Sequence, residues 1–388
     1  MVMNSTRDLF VLISATAAGA LAGTVAALLL YPSTTVYTVP ARTGTAASTL
    51  VVPTSTAPVI SLVPVERRSA LPLVPPAFLQ RRSSPVATLY RKTKGGTLDE
   101  RLLGPDRLLG HAVALTSDGW FVTSASVFSG VHMVDVSVWE GGTSYPITHG
   151  VVDTLDNVAF FKTDADSLAI PAFAQANETS MGEQMWIETD PQAFAPDVIV
   201  SASARITANE YSSSEVAARR FVLSTQTPAN GWGGAVWDSN GSLVGIIESK
   251  AGESVRIVPA ADIAASFSSL LQSNEIRHAS LGVTALDLGD ARIDGTRGDI
   301  PSNGALLKIR PTLANAKLKL HNADVILSVE HDILDGTADL GELLAEYAPG
   351  TSVSLRVLTP DASGSYANAK DTNLDVTLGS IVTSQNLK

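Results

Sequence analysis

Short apolar runs recur through residues 84–272, and turn-forming sequences such as Ser-Asp-Gly-Trp, Glu-Gly-Gly-Thr and Ser-Asn-Gly-Ser lie between them. Many short strands at this spacing predict an all-β barrel or sandwich. The apolar runs are Val86–Tyr90, Ala112–Leu115, Trp120–Val122, Val134–Val138, Val158–Phe161, Met185–Ile187, Val198–Val200, Phe221–Leu223, Ala235–Trp237, Leu243–Ile247 and Val255–Val258.

After residue 259 the periodicity changes from that of strands to that of a helix. Between Ala260 and Leu271, apolar residues fall on one helical face, which predicts an amphipathic helix. A smaller unit follows over residues 277–383, where strands and two helices predict an α+β domain. The predicted elements of this unit are the strand Ala305–Ile309, a short helix Leu313–Leu318, the strand within Asn322–Val329, a helix Ala338–Tyr347 and the strand Ser352–Leu358.

The N-terminal region holds a long uncharged segment, residues 9–30. As a helix it would span about 33 Å, which is enough to cross a hydrocarbon core of about 30 Å. The alternative is a cleaved signal peptide, whose apolar core would be only about 7–15 residues long. Because Arg7 precedes the segment and the next basic residue is Arg42, residues 1–8 are predicted to be cytoplasmic and the rest of the chain extracytoplasmic.

Residues 31–83 are rich in proline, threonine and serine, which predicts an extended stalk between the transmembrane helix and the folded part. The net charge of −11 argues against a nucleic-acid partner, since phosphate binding needs a basic surface. The 388 residues include no cysteine, which excludes disulfides, a thiol nucleophile and cysteine-ligated metals. No His, Asp or Glu cluster shows metal-ligand spacing, so neither a metal nor a cofactor is expected.

Several segments, taken in order, resemble the HtrA family of trypsin-like serine proteases. The segments GHAVALTSDGWFVTSASVFSG (110–130), VVDTLDNVAFFKTD (151–164), PANGWGGAVWDSNGSLVGI (228–246) and VRIVPAADIAASFSSLL (255–271) resemble the family's protease domain. SLGV (280–283), NADVILSV (322–329) and the helix over 338–347 resemble the PDZ domain that follows it. The resemblance implies a mainly β fold: a trypsin-like double β-barrel over residues 84–272, followed by a small α+β PDZ domain over 277–383.

Three positions depart from the family's catalytic pattern. Ser126 stands where the family has its histidine, Asn157 where it has its aspartate, and Trp232 where it has its serine nucleophile. A hydroxyl does not act as a base near pH 7, asparagine carries no charge, and tryptophan has no nucleophilic atom. The sequence therefore predicts that the chain is not an enzyme but a degenerate serine protease homologue, with Trp232 filling the former specificity pocket.

Alternatives to this interpretation stay open. If the alignment with the family's motif is shifted by one residue, Asp156 takes the position of the catalytic aspartate. The candidates to replace the missing histidine are His111, His132 and His149. With such a displaced catalytic group the chain would be an active serine-type endopeptidase. A structural component of the cell envelope is a further alternative.

The PDZ-like unit has a predicted peptide site. In the family, the backbone of the turn Ser280-Leu281-Gly282-Val283 holds a terminal carboxylate, and the peptide is added as a strand to a sheet edge. Leu340 and Leu344, four residues apart, would face the ligand from a helix. The resemblance implies a membrane-anchored adaptor, regulator or chaperone-like holder in protein quality control that binds peptides or protein C-termini. It also implies a homotrimer or mixed assembly with an active relative.

Overall fold

The computed structural model describes residues 78, 84–92, 95–174, 179–190, 193–205, 211–216, 219–291, 299–308, 319–336 and 338–387. The predicted N-terminus (1–8), transmembrane segment (9–30) and helix Leu313–Leu318 lie outside these residues, as does the predicted stalk (31–83) apart from Phe78. Among the described residues, no helix is both long enough and apolar enough to cross a membrane.

The first barrel consists of six antiparallel strands. They are β1 (Val86–Arg91), β2 (Leu108–Ala114), β3 (Trp120–Ser124), β4 (Val136–Glu140), β5 (Thr143–Asp153) and β6 (Val158–Thr163), with a short helix α1 (Leu98–Arg101) after β1. The strands are hydrogen-bonded in the order β5-β4-β1-β2-β3-β6, and pairing of β5 with β6 closes the barrel. Its buried core includes Phe121 and Phe161, whose stacked rings lie 5.4 Å apart.

A second closed barrel follows in the chain. Its segment contains β7 (Gln184–Asp190), β8 (Ala193–Arg205), β9 (Ser212–Ser213), β10 (Arg219–Gln226), β11 (Ala235–Trp237), β12 (Leu243–Ile247) and β13 (Ser254–Pro259). All of these except β9 form the barrel, in the order β10-β13-β12-β11-β7-β8. Trp186 and Trp237 are buried in its core. The predicted pair of β-barrels is therefore confirmed.

Phe78 belongs to this second core, although its sequence position lies in the predicted stalk. It is 4% exposed, and its ring centroid lies 4.5 Å from that of Phe194 and 6.0 Å from that of Trp186. The composition of residues 31–83 gave no sign of this contact, because an aromatic residue in a proline-rich segment has no periodicity that predicts burial.

The helix α2 (Ala260–Ser273) leads from the second barrel to the C-terminal unit, and it ends at Asn274 in the left-handed conformation. The unit contains β14 (Arg277–Ser280), β15 (Thr284–Asp287), β16 (Ala305–Lys308), β17 (Val325–Val329), β18 (Asp332–Ile333), α3 (Leu340–Ala345), β19 (Ser352–Thr359), β20 (Lys370–Thr377) and β21 (Gly379–Val382). The main sheet has the order β20-β19-β17-β16-β15-β9, while β14 pairs with β21. The chain segment that forms the second barrel thus also contributes β9 to the sheet of the C-terminal unit.

Helix α3 is shorter than the predicted helix over 338–347. It begins after Asp339, whose side chain accepts a hydrogen bond from the Glu342 N–H while the Glu342 side chain accepts one from the Asp339 N–H. This capping box fixes the first turn. The helix then ends in a tighter turn, where the Tyr347 N–H donates to the Leu344 carbonyl.

The last strand, β22 (Ser384–Asn386), returns to the first barrel and pairs antiparallel with the end of β5. The Leu387 N–H donates to the Gly150 carbonyl at 2.9 Å, and the Leu387 side chain packs against the first-barrel core. The sequence did not predict this strand, because its residues are polar and become a strand only through pairing with β5.

Candidate functional site

The first two substituted positions lie side by side in the first barrel. Ser126 is in a 3-10 turn (Ala125–Phe128) directly after β3, and Asn157 is in the turn between β5 and β6. The Ala125 N–H donates to the Asn157 carbonyl at 2.9 Å, and the Asn157 amide nitrogen lies 3.4 Å from the Ser126 hydroxyl. Two neutral groups at the long end of hydrogen-bond distance form a weak contact. Neither group can hold a proton as imidazole does.

Trp232 is presented by a tight turn whose backbone is set by Asn230 and Gly233, with φ of 56° and 72°. Gly233 is required there, because a Cβ atom would lie 2.0 Å from the His111 carbonyl oxygen. The Trp232 carbonyl accepts a hydrogen bond from the His111 N–H at 2.7 Å, which joins the turn to β2.

The indole of Trp232 is half-buried and packs against the core cluster of the first barrel, which includes Val127 and Phe128. The sequence hypothesis placed this ring in the specificity pocket. In the structure the ring packs against the barrel that carries Ser126, and among the described residues its Nε1 has no hydrogen-bond partner.

The three histidines considered as substitutes make no hydrogen bond to Ser126 or Asn157 within the described residues. His111 is 4% exposed, and burial lowers its pKa to about 4, so its imidazole is neutral near pH 7. His132 and His149 are exposed on the first barrel. Asp156, the alternative carboxylate, points into a buried ionic cluster, where it contacts Arg220 at 3.3 Å.

This ionic cluster, which we call the acidic joint, surrounds the guanidinium of Arg220. The Arg220 nitrogens lie 3.3 Å from Asp156, 3.8 Å from Glu248 and 3.7 Å from Asp262. Burial raises the pKa of Asp262 to about 7, with repulsion from Asp156 adding to the effect. The joint connects the β5–β6 turn, the second barrel and the start of α2.

A second part of the acidic joint reaches the C-terminal unit. The carboxylate of Asp153 contacts the His278 Nε2 at 2.8 Å and accepts a hydrogen bond from the Ser266 hydroxyl at 2.9 Å. Burial opposes the charged form of His278, but its hydrogen bond to Asp153 and the charge of that carboxylate raise its pKa above the ordinary value.

Asp153, Asp156 and His278 bring three potential metal-ligand atoms within 4.8 Å of one another. The sequence showed no metal-ligand spacing, because His278 lies more than a hundred residues from the two aspartates. Each of the three side chains already has a protein partner within the joint.

In the C-terminal unit, the space between β15 and α3, which we call the β15–α3 groove, is lined by Ala285, Leu334 and Leu340. Ser212, Ser213 and Ser214 of the second-barrel segment line it as well. Leu344 does not line it and belongs to the core of the unit, as do Leu281 and Val283. Gly282 has φ of 65°, and its N–H donates at 3.0 Å to the carboxylate of Glu215, which also accepts a hydrogen bond from the Ser280 hydroxyl. The predicted turn thus binds a carboxylate, and that carboxylate comes from this chain.

The two barrels are similar to the protease domains of known proteins. The profile of the trypsin-like peptidase domain matches residues 110–246. A probable periplasmic serine endoprotease, DegP-like, of Halomonas elongata is 25% identical over 287 residues, covering 70% of this chain and 56% of the relative. The putative serine protease HhoB of Synechocystis sp. is 27% identical over 240 residues, covering 57% of this chain and 56% of the relative. The chain therefore spans just over half the length of these relatives.

Solved structures agree on the fold. The HtrA-type protease AlgW with tripeptide has a TM-score of 0.53 and 19% identity, covering 79% of this chain and 97% of that chain. AlgW with decapeptide has a TM-score of 0.51 and 19% identity, covering 79% and 98%. At this identity the similarity establishes a mainly β, trypsin-like double β-barrel fold.

The prediction that the chain is not an enzyme is contradicted by these relatives, which are named as serine proteases. That prediction inferred the chemistry of a whole chain from three side chains. Ser126, Asn157 and Trp232 cannot form the family's catalytic triad. Their identities do not show whether another hydroxyl in the protein acts as a nucleophile. The domain profile, the relatives and the fold together show that this chain is similar to HtrA-type, trypsin-like proteases.

Proposed function

We propose that this chain is an HtrA-like protein that binds peptides or protein C-termini in the β15–α3 groove of a PDZ-type C-terminal unit. The observation that carries the proposal is the turn at Ser280–Val283, where a backbone N–H and a hydroxyl hold a carboxylate. Beside that turn, the edge of β15 pairs with the two-residue strand β9 of this chain, so it is an edge at which a strand can be added. A carboxylate-binding turn next to a strand edge that pairs with an added strand is the arrangement that peptide C-termini require.

The cellular setting of the proposal is extracytoplasmic. The relative from Halomonas elongata is named as periplasmic, and residues 9–30 would tether the chain to a membrane. In this setting, binding of exposed C-termini suits an adaptor, a regulator or a chaperone-like holder. A homotrimer, or a mixed assembly with an active relative, is part of the proposal, and sedimentation equilibrium of the full chain tests it.

The peptide proposal is tested by fluorescence polarisation of the full chain with labelled decapeptides that end in a free carboxylate or in an amide. We expect binding of the carboxylate forms and at least tenfold weaker binding of the amides, because an amide lacks the charge that strengthens these hydrogen bonds. Gly282→Val should abolish binding, since valine strains a backbone with φ of 65°.

Gly252→Val is the matched control for that variant. Gly252 has φ of 81° in an exposed turn of the second barrel, with no atom within 4 Å of an added Cβ. Like Gly282→Val, the Gly252→Val variant strains a backbone with positive φ. Because Gly252 does not line the groove, the variant should leave peptide affinity unchanged. Equal affinity for the carboxylate and amide peptides would refute the proposal.

The names of the relatives support a second candidate function, serine-type endopeptidase activity. Because Trp232 has no nucleophilic oxygen, such activity would use a hydroxyl elsewhere in the chain. Labelling with a fluorophosphonate, followed by mass-spectrometric mapping, would identify that residue. Its alanine variant should then lose the cleavage of unfolded casein.

A further inference from the structure

The β15–α3 groove already contains a strand. Residues 211–216 of the second-barrel segment, which we call the insert, run antiparallel to β15, with Ser213 opposite Thr284 and Ser212 opposite Ala285. The Ser214 N–H donates to the Val283 carbonyl at 2.9 Å. The insert therefore extends the sheet in the way an added peptide strand would.

The insert also supplies the carboxylate in the turn at Ser280–Val283. One oxygen of Glu215 accepts hydrogen bonds from the Gly282 N–H at 3.0 Å, the Ser214 hydroxyl at 3.0 Å and the Ser280 hydroxyl. The Ser213 hydroxyl donates to the other oxygen. Bonds from several donors to one charged acceptor are the strong kind of hydrogen bond.

The path of the chain explains why a side chain fills this position. The Val216 N–H donates to the Ser213 carbonyl at 3.1 Å, so the backbone turns away directly after Glu215. A true C-terminus would present its carboxylate from the main chain. Here the chain continues into β10, and the Glu215 side chain reaches the turn instead.

The insert is held at both ends and fills the space beside it. At its start, the ammonium of Lys308 lies 4.9 Å from the centre of the Tyr211 ring, within the range of a cation–π contact. Ser214 is only 1% exposed. The cavity left among the insert, β15 and α3 is about 20 Å³, which is room for about one water molecule.

We propose that the insert Tyr211–Val216 is an internal ligand that closes the β15–α3 groove, and that an incoming peptide must displace it. This inference rests on the proposed peptide-binding function. The competing ligand is a peptide with a free C-terminal carboxylate and small, hydroxyl-bearing side chains in its last three positions, because Ser212, Ser213 and Ser214 occupy those places in the structure. If the groove is open for only a fraction of the time, the apparent dissociation constant of the peptide equals the intrinsic constant divided by that fraction.

The test compares the full-length wild type with Glu215→Gln and with the double variant Ser214→Pro/Glu215→Gln. Glutamine keeps the shape of the side chain but removes its charge, and proline removes the N–H that bonds to Val283. Asp166→Asn, at an exposed acidic position on the first barrel, is the control for the loss of one negative charge. Far-UV circular dichroism and the thermal midpoint confirm folding of each variant.

Two measurements are made on these proteins. The first is hydrogen exchange of the β15 amides, which should be faster by at least tenfold in the double variant and unchanged in Asp166→Asn. The second is the affinity for a fluorescein-labelled peptide, Gly-Gly-Tyr-Ser-Ser-Ser with a free carboxylate, whose last residue takes the place of Ser214. The double variant should bind this peptide about tenfold more tightly than the wild type.

The outcomes separate the two proposals. Equal β15 exchange in the wild type and the double variant overturns the internal ligand, whatever the peptide does. Equal peptide affinity in all forms overturns the competition while supporting the groove as a peptide site. If β15 exchange rises in the double variant but no carboxylate peptide binds to any form, the proposed peptide-binding function is wrong and the competition fails with it.

Discussion

The roles of single residues in this protein depend on their surroundings more than on their type. Arg220 is 2% exposed and shared by three carboxylates, whereas Arg277 pairs with Glu275 at 2.6 Å on the surface. A buried charge that loses its partner strongly lowers the free energy of unfolding. An exposed ion pair contributes little to this free energy, because water screens it. The acidic joint is thus the place where one substitution should affect the whole molecule.

Arg220→Met should lower the free energy of unfolding by about 3–5 kcal/mol, because it leaves several buried carboxylates without their cation. Urea denaturation followed by tryptophan fluorescence measures this change. Arg277→Gln, which removes a cation from an exposed pair, should leave the midpoint unchanged. Similar midpoints for the two variants would show that the Arg220 cluster does not stabilise the fold.

Asp262 should make stability depend on pH. Its folded pKa of about 7 lies above its ordinary value of 3.8. Between these two values the Asp262 carboxyl keeps a proton in the folded state that it has lost in the unfolded state. The free energy of unfolding therefore falls as the pH rises from about 4 to about 7. His278 acts in the same direction, since its raised pKa gives stability that is present below about pH 6.5 and lost above it.

Asp262→Asn should remove the aspartate's part of this dependence. Relative to the wild type, the variant should gain up to about 1.4 kcal/mol per pH unit between pH 5 and 7. Urea titrations at pH 5, 6, 7 and 8 measure this difference, and the exposed Asp166→Asn provides the control. A difference that stays constant across pH would mean that Asp262 ionises normally in the folded protein.

At the scale of the elements, the sequence predicted most of what periodicity can encode. The strands of both barrels other than β5, and helix α2, follow from short apolar runs and from one apolar helical face. Helix α3 was predicted too long, because the 338–347 pattern does not show where its last turn tightens. β9 and β22 were missed, since Ser212–Ser213 and Ser384–Asn386 are polar and form strands only beside β15 and β5.

The contribution of β22 to the first barrel is measurable. Leu387→Ala should lower the free energy of unfolding by about 1 kcal/mol, because a half-buried leucine side chain loses part of its apolar contact. Ile381→Ala, on the more exposed strand β21, should have a smaller effect. Thermal denaturation of both variants provides the comparison, and equal midpoints would argue that β22 is only loosely attached.

At the scale of the whole molecule, the order of motifs predicted the double barrel and the similarity to HtrA-type proteases. Motif order also indicated that Ser126 and Asn157 belong to one site, and the two side chains are in contact. It did not predict the acidic joint, because Asp153, Arg220 and His278 come from three distant segments that only the fold brings together. It did not predict the insert in the groove for the same reason.

The return of β22 to β5 has a mechanical consequence for the C-terminal unit. Because the chain leaves the barrels through α2 and comes back at Ser384, the unit is a loop fastened at both ends and cannot swing away on a single hinge. A force applied at Leu387 would peel β22 from β5 before any load reached the sheet that carries the groove. Large excursions of the unit and detachment of this strand should therefore occur as one event.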